Sequence, residues 1–257
     1  MKKLFGVMSL ILLLTHLTNA QAQLDREFDG LKGSVKTVRL ERAEVSQRDG
    51  KAVESPRQLE SVTTYDEKGN KTEALNYDYK GISRRSVFTR GENGNQIQTK
   101  FKPDGSVDSK WIQTYDARGR MSGGAQYNAD GVLQRKSVST YDPNGKFVDG
   151  AMYNADGSLI NKTVYRYDAE GKPTGLDLYN ANGVLIMKSV DTASESVATL
   201  YNDDGTVQTQ FANARQSSTQ EFDSHKNWIK QSTPKSVVRA GQAAESVEVL
   251  YRTITYY

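Results

Sequence analysis

The chain has 257 residues, no cysteine, a formal net charge of +3 and a low hydrophobic content of 36%. The missing cysteines exclude disulfides, thiolate metal sites and a lipid-anchoring cysteine. Lys and Arg are dispersed among Asp and Glu, without a basic stripe or an aromatic–arginine platform, so nucleic acid is not an expected partner.

Residues 1–22 have the pattern of an export signal. Two lysines precede the apolar stretch 4–14, which is too short to span a bilayer, and small residues follow at Ala20 and Ala22. We predict cleavage after Ala22, with Ala20 as the alternative site; a buried N-terminal helix is the competing interpretation. Loss of the two lysines lowers the net charge from +3 to +1.

No later segment is apolar enough to span a membrane, so we expect the mature chain in the periplasm or outside a bacterial cell. Residues 23–257 are predicted to form a single β-repeat domain. Its N-terminal part, residues 31–60, is predicted to hold cap strands, and residues 31–45 have a β-prone pattern studded with Lys and Arg that suits a sheet edge. Asp49-Gly50 would turn a cap hairpin, and residues 47–58 have the composition of an exposed loop.

One short word, aromatic-x-x-x-Gly, recurs ten times through the middle of the chain. The aromatic residues of the ten words are Tyr65, Tyr77, Phe101, Tyr115, Tyr127, Tyr141, Tyr153, Tyr167, Tyr179 and Tyr201. From Tyr115 onward, words of the type Y-D-x-x-G alternate with words of the type Y-N-A-D/N-G, so the period is 26 residues with two half-units. Regular repetition of this kind indicates stacked supersecondary units and argues against the disorder that the polar composition would otherwise suggest.

Each word has the composition of a hairpin turn. Asp or Asn in the first turn position accepts backbone hydrogen bonds, and Gly in the fourth tolerates positive φ. Asn128-Ala129-Asp130-Gly131, for example, fits a type I turn followed by a left-handed glycine. The predicted turn glycines are Gly119, Gly131, Gly145, Gly157, Gly171, Gly183 and Gly205.

The residues between the words are polar and β-branched, with imperfect alternation and the length of one strand. The fold prediction is therefore all-β: an antiparallel meander of repeated hairpins forming a long, twisted, curved sheet, with the repeats at 61–209. We expect the tyrosines to stack into an aromatic ladder, which serves either as the core of the sheet or as a binding surface. The candidate binding residues are Tyr115, Tyr127, Tyr141, Tyr153, Tyr167, Tyr179, Trp111 and Trp228.

The C-terminal part of the chain is predicted to be a second cap. Residues 210–219 have loop composition, and residues 220–257 combine a degenerate word at Phe222 with the β-prone stretch 246–257. Ala240-Gly241 would turn the cap hairpin.

Catalytic and metal-ligating patterns are weak in this sequence. His225, beside Asp223 and Ser224, is the one histidine beyond the leader, and these neighbours lie in a turn word rather than facing one another as a triad does. Asn202-Asp203-Asp204-Gly205 and the NADG words resemble parts of calcium loops, but none of them has both acids at alternate positions and a distant bidentate Glu. Paired carboxylates for glycoside hydrolysis would fall on exposed turns. We predict no metal, no cofactor and no enzymatic activity.

The words YDARGR, YDPNGK and YDAEGK, alternating with YNADGVL-type words, resemble the YD repeats of RHS and teneurin-like proteins. The resemblance covers roughly residues 65–205 and implies a β-sheet strip, which in that family spirals into a shell around a C-terminal toxin. This chain is too short to enclose a folded cargo and lacks the Asp-Pro-rich motif that closes such shells. The hairpins are also similar to MORN-type repeats, which contact proteins or lipids.

Two functional hypotheses follow. The first is an exported, non-enzymatic module that binds or scaffolds another protein of the cell envelope or the extracellular space. The second is a glycan- or cell-wall-binding module that uses the aromatic ladder; a glycan-active enzyme is a third, weaker alternative.

Overall fold

The computed structural model of this chain describes residues 25–48, 50–91, 94–192, 194–214, 218–239 and 242–257. The predicted leader, its cleavage site, Asp49 and the Ala240-Gly241 turn lie outside these residues. The described elements are α1 (Asp25–Phe28), β1 (Val35–Arg48), β2 (Lys51–Glu54), β3 (Gln58–Tyr65), β4 (Lys71–Asp78), β5 (Gly81–Arg90), β6 (Gln96–Phe101), β7 (Val107–Tyr115), β8 (Met121–Asn128), β9 (Leu133–Tyr141), β10 (Phe147–Asn154), β11 (Leu159–Tyr167), β12 (Pro173–Asn180), β13 (Leu185–Asp191), β14 (Glu195–Tyr201), β15 (Val207–Ala214), β16 (Thr219–Phe222), β17 (Trp228–Arg239) and β18 (Gln242–Tyr256).

The predicted all-β meander is confirmed. All 18 strands belong to one sheet, and from β3 to β15 each strand pairs antiparallel with the next one in the chain. Ten of the twelve connections between these strands are the predicted turn words, and the other two, between β5 and β6 and between β13 and β14, lack the word.

The turn words have the predicted geometry. In the word that follows Tyr115, the Gly119 amide donates to the Asp116 carbonyl at 2.9 Å and the Asp116 amide donates to the Arg120 carbonyl at 2.8 Å. The Asp116 carboxylate also accepts from the amides of Arg118 and Arg120, both at 2.9 Å. All seven predicted turn glycines have φ between 75° and 87°. The Asp and Asn oxygens of these words are thus engaged by their own turns.

The predicted edge position of the N-terminal cap strand is wrong. Strand β1 pairs with β18 along most of its length, and its other side pairs with β3 and, farther along, with β2. β18 in turn pairs with β17. The first and last strands of the described chain therefore pair inside the sheet, where two long β-prone strands satisfy backbone groups that an edge would leave open.

The edges of the sheet lie elsewhere. Within the described residues β15 pairs only with β14, and β16 pairs only with β17. The two predicted loops also contain strand: β2 lies within 47–58, and β15 extends to Ala214.

Bulges decide which side chains share a face of the sheet. Thr114 pairs with Gly123 but Tyr115 pairs with Met121, so Ser122 is an extra residue and the alternation changes phase there. A similar register shift accompanies most of the turn words. We name the two faces by their residues: the core face carries Tyr65, Tyr141 and Leu178, and the outer face carries Lys110 and Tyr127.

Both buried clusters lie on the core face. One joins Leu31, Val35, Val38 and Tyr65 near α1, with Ile254 and Tyr256 packed against it. The other joins Leu176, Leu178 and Met187 on β12 and β13. A separate group of edge-to-face aromatic contacts involves Tyr141, Phe147 and Tyr165. The Phe147 ring centroid lies 5.5 Å from that of Tyr141 and 5.0 Å from that of Tyr165. Such contacts allow a polar chain to hold a thin sheet together.

The degenerate word at Phe222 forms the same turn with a lysine in the glycine position. The Lys226 amide donates to the Asp223 carbonyl at 3.0 Å, and Lys226 has φ of 65°. Lys226→Gly is expected to raise the free energy of unfolding by about 1 kcal/mol, because glycine occupies left-handed backbone without the Cβ penalty. Urea denaturation measures this. Lys68→Gly, one residue before the turn glycine Gly69, is the control and should not stabilise; destabilisation by Lys226→Gly would contradict the argument.

Candidate binding face

The predicted tyrosine ladder is divided into two rows. Y-D-x-x-G words end β7, β9 and β11, whereas Y-N-A words end β8, β10 and β12, so the two kinds of word lie at opposite ends of the strands. Strand pairing also places the two rows on opposite faces of the sheet. The core-face row is Tyr115, Tyr141 and Tyr167; the outer-face row is Tyr127, Tyr153 and Tyr179.

The core-face row is occupied by internal contacts. The Tyr141 hydroxyl donates to the Met121 carbonyl at 2.9 Å, and the Tyr167 hydroxyl donates to the Phe147 carbonyl at 2.6 Å. Burial raises the pKa of both phenols. These hydroxyls are therefore not free for a ligand, and the row serves as packing.

A basic side chain lies over each ring of the core-face row. The Arg120 guanidinium is 4.4 Å from the Tyr141 centroid, and the Lys146 amine is 4.7 Å from that of Tyr167. Arg120 and Lys146 each come from the preceding Y-D word, whereas the cation over Tyr115 is Arg90 at the end of β5. Arg120 is itself held by Asp116 at 2.6 Å. Successive units are thus linked by cation–π contacts, which are worth about 0.5–1 kcal/mol each when exposed.

The outer-face row has different surroundings. The rings of Tyr127, Tyr153 and Tyr179 are half-buried, and their hydroxyls have no hydrogen-bond partner among the described residues. Val138, which shares this face, is 49% exposed. The row is therefore open to a ligand from solvent.

Each outer-face tyrosine stands opposite a basic residue on the preceding strand. Lys110 pairs with Tyr127 and Lys162 pairs with Tyr179. In the unit between them, Lys136 on β9 pairs with Tyr153 on β10. From β7 to β12 the outer face therefore alternates lysine and tyrosine, strand by strand.

The same arrangement continues on β5 and β6, although the spacing in the sequence is looser there. Arg85 pairs with Phe101, and its guanidinium lies 5.1 Å from the ring centroid. We call these four pairs the basic–aromatic row: Arg85 with Phe101, Lys110 with Tyr127, Lys136 with Tyr153, and Lys162 with Tyr179.

The cations of this row differ in their freedom. Arg85 is bonded to Glu73 at 2.7 Å, and Lys162 lies 3.6 Å from Asp149. Lys110 and Lys136 are exposed and form no ion pair with another described residue. The two central amines are therefore available to an anionic ligand.

A cavity of about 350 Å³ opens beside the Lys110–Tyr127 pair. Ile112 and Val107 provide apolar lining, and Lys110 supplies an amine. Its size falls at the lower end for small-molecule sites. The residues lining it are Thr99, Val107, Lys110, Ile112, Tyr127, Asn128, Ala129 and Gly131.

Both predicted tryptophan anchors lie in packing rather than on the outer face. Ring atoms of Trp111 come within 3.0 Å of the place where a side chain on Gly124 would begin. The Trp228 ring is covered by Arg252, whose guanidinium is 3.6 Å from the centroid. Burial lowers the pKa of that guanidinium to about 10.

His225 is an exposed turn residue, as predicted. Its ring stacks on Tyr256 with centroids 4.0 Å apart, and Ser224 Oγ lies 3.5 Å from Nδ1. Asp223 binds the His225 backbone amide at 2.9 Å and the Tyr256 hydroxyl. With the Asp223 carboxylate used in this way, the three adjacent residues do not have the geometry of a catalytic triad.

The described residues contain no group of three or more His, Asp or Glu side chains placed to hold a metal ion. Nor does any helix in the described part of the chain have the length and apolar character needed to cross a membrane.

The basic–aromatic row is not predicted from the sequence. Lysines in so polar a chain resemble an ordinary solvated surface, so no basic stripe is evident. The available signal was the interval of 26 residues between Lys110, Lys136 and Lys162, which equals the period of the turn words.

No family model and no curated protein matches this sequence. Similar solved structures include a porin-like protein from Bacteroides uniformis, with 10% identity, a TM-score of 0.48, and coverage of 87% of this chain and 99% of that one. A LolA superfamily protein from Nitrosomonas europaea has 10% identity, a TM-score of 0.19 and 94% coverage of both chains. The structure of TcdB2-TccC3-TEV has 9% identity, a TM-score of 0.19, and coverage of 80% of this chain but 15% of its own. At these values the chain is assigned to none of the three families.

Proposed function

We propose that this chain is an exported, non-enzymatic binding protein of the cell envelope or extracellular space, and that its basic–aromatic row binds a glycan. One observation carries the proposal: half-buried tyrosines, whose hydroxyls bond to no other described residue, alternate with cations along an open sheet face. Aromatic rings pair an apolar surface with a polar edge, which suits the apolar faces and hydroxyls of sugars. The cavity beside Lys110 and Tyr127 adds a concave position within the row.

Removal of the outer-face rings tests this function. Tyr127→Ala and Tyr153→Ala are each expected to weaken glycan binding about fivefold, since an aromatic contact is worth about 0.5–1.5 kcal/mol. Binding of the purified protein to a glycan array and to peptidoglycan would be compared by calorimetry and co-sedimentation.

Tyr79→Ala provides the matched control for these variants. Tyr79 is 91% exposed and lies outside the row, so its removal should leave binding unchanged. The proposal fails if the Tyr127→Ala/Tyr153→Ala double variant binds like the parent protein, or if Tyr79→Ala loses as much.

A protein partner is the second candidate, and the β15 edge favours it. This strand has no charged residue, and Val207 and Phe211 are 60% and 47% exposed. An uncharged edge can accept a strand of another protein through main-chain hydrogen bonds. Thr209→Lys, inside β15, should abolish such binding and leave glycan binding intact. Pull-down from envelope extracts measures the binding of a protein partner.

A further inference from the structure

The positions of the cations in the basic–aromatic row are fixed by the repeat. Lys110, Lys136 and Lys162 lie on β7, β9 and β11, so two strand spacings separate successive amines. Lys110 and Lys136 are also offset along the strand direction. On β8, which lies between them, Lys110 pairs with Tyr127 and Lys136 pairs with Ala125, two residues away. Two strand spacings and a two-residue offset put successive Cα atoms about 12 Å apart. This distance is close to the length of one disaccharide in an extended polysaccharide and is more than twice the length of one sugar unit.

We propose that the basic–aromatic row binds an acidic polysaccharide that carries one anionic group per disaccharide. This inference rests on the proposed glycan-binding function and specifies its ligand. The neutral sugar unit between two acidic sugar units would stack on the tyrosine that lies between two lysines. Each lysine, on its long flexible side chain, would then meet one carboxylate.

The surrounding charges make the centre of the row the strongest part of the site. Glu73 and Asp149 compete for Arg85 and Lys162 at the two ends. Exposed Asp108 lies on the same strand and face as Lys110, but it forms no ion pair with this lysine. Because neither Lys110 nor Lys136 is held in an ion pair with a described residue, these two lysines supply most of the attraction for the ligand anions.

An anionic lipid surface would be attracted by the same lysines, but it fits the row less well. A fluid bilayer surface does not require cations at a fixed interval. It also gives no role to tyrosines between the cations or to a cavity of about 350 Å³ beside Lys110. An acidic glycan uses all three features.

The test compares polymers that differ in the spacing of their charges. The probes are hyaluronan oligosaccharides with one carboxylate per disaccharide, polygalacturonate oligosaccharides with one per sugar, neutral cello-oligosaccharides, and vesicles of phosphatidylglycerol. We expect hyaluronan to bind most tightly, with an affinity that falls as salt is added. Lys110→Gln/Lys136→Gln should weaken that binding about tenfold and reduce its salt dependence.

Lys68→Gln/Lys172→Gln is the matched control, since it removes two exposed lysines from turn words at the other end of the strands. It makes the same change in net charge and should leave hyaluronan binding unchanged; thermal melting of both double variants checks that they are folded.

Equal binding of neutral and acidic chains would overturn the charge inference but leave glycan binding standing. Equal binding of polygalacturonate and hyaluronan would overturn the inferred interval between the ligand charges, and binding to vesicles alone would overturn both proposals. Failure of every glycan to bind would also overturn both.

Discussion

Gly175→Ala is expected to lower the free energy of unfolding by about 3 kcal/mol or more. Gly175 on β12 has φ of 144°, which side chains rarely adopt, and a Cβ there would overlap the Ser189 carbonyl oxygen on β13. The Arg166 guanidinium passes over the same glycine to donate to that carbonyl. An unfavourable φ costs about 1–2 kcal/mol and overpacking about 1–3 kcal/mol more. Urea denaturation measures the sum.

Gly157→Ala separates the two contributions. Gly157 has φ of 87°, but nothing lies within 4 Å of its missing side chain. Its replacement should cost only the backbone term, about 1–2 kcal/mol. Gly123, where a Cβ would overlap the Ser137 carbonyl, should behave like Gly175. If Gly175→Ala and Gly157→Ala cost the same, the backbone of β13 moves aside and the steric argument is wrong.

These glycines show which part of the fold the sequence predicts. Gly157 belongs to a turn word, and a turn is decided by four adjacent residues, so its positive φ follows from local chemistry. Gly175 lies inside a strand, and the Ser189 carbonyl oxygen on another strand occupies the space that a side chain at Gly175 would need. No local pattern contains that contact.

The division of the tyrosines into two rows has a comparable origin. Each bulge, such as the one at Ser122, inserts one residue and changes which members of the alternation face the core. The residues between the words alternate only imperfectly, so their pattern does not locate the bulge. The sequence therefore predicts the tyrosines as a ladder but not that Tyr141 packs internally while Tyr127 faces outward.

The pairing of β1 with β18 is the least local feature of the fold. Thr37 and Thr255 on these strands are bonded through their hydroxyl oxygens at 2.5 Å although 218 positions separate them. Both strands were correctly predicted as β-structure at the ends of the chain. Their pairing with each other depends on where the intervening strands bring them.

Truncation of Tyr65 tests how much the hydrophobic cluster at the β1–β18 pair contributes to stability. Tyr65 is 2% exposed and packs against Leu31, Val35 and Val38, and its hydroxyl donates to Asp29 beyond α1. Tyr65→Ala is expected to cost about 4 kcal/mol, since large-to-small changes at buried aromatic residues typically cost about 3–5 kcal/mol. Tyr65→Phe keeps the ring and should cost about 1 kcal/mol, because Asp29 retains its ion pair with Lys71 at 2.9 Å.

The same residue predicts a loss of stability at alkaline pH. Burial, followed by the negative charge of Asp29, raises the pKa of the Tyr65 phenol above its ordinary value of 10.0. A group whose pKa is higher in the folded state contributes stability that is complete below pH 10 and decreases above it, since the unfolded chain then loses the proton first. Urea denaturation from pH 8 to 11 should show a smaller decrease in Tyr65→Phe than in the parent protein. Equal decreases would show that the Tyr65 phenol does not cause the alkaline loss, and equal costs for Tyr65→Ala and Tyr65→Phe at pH 8 would show that packing of the ring contributes no stability.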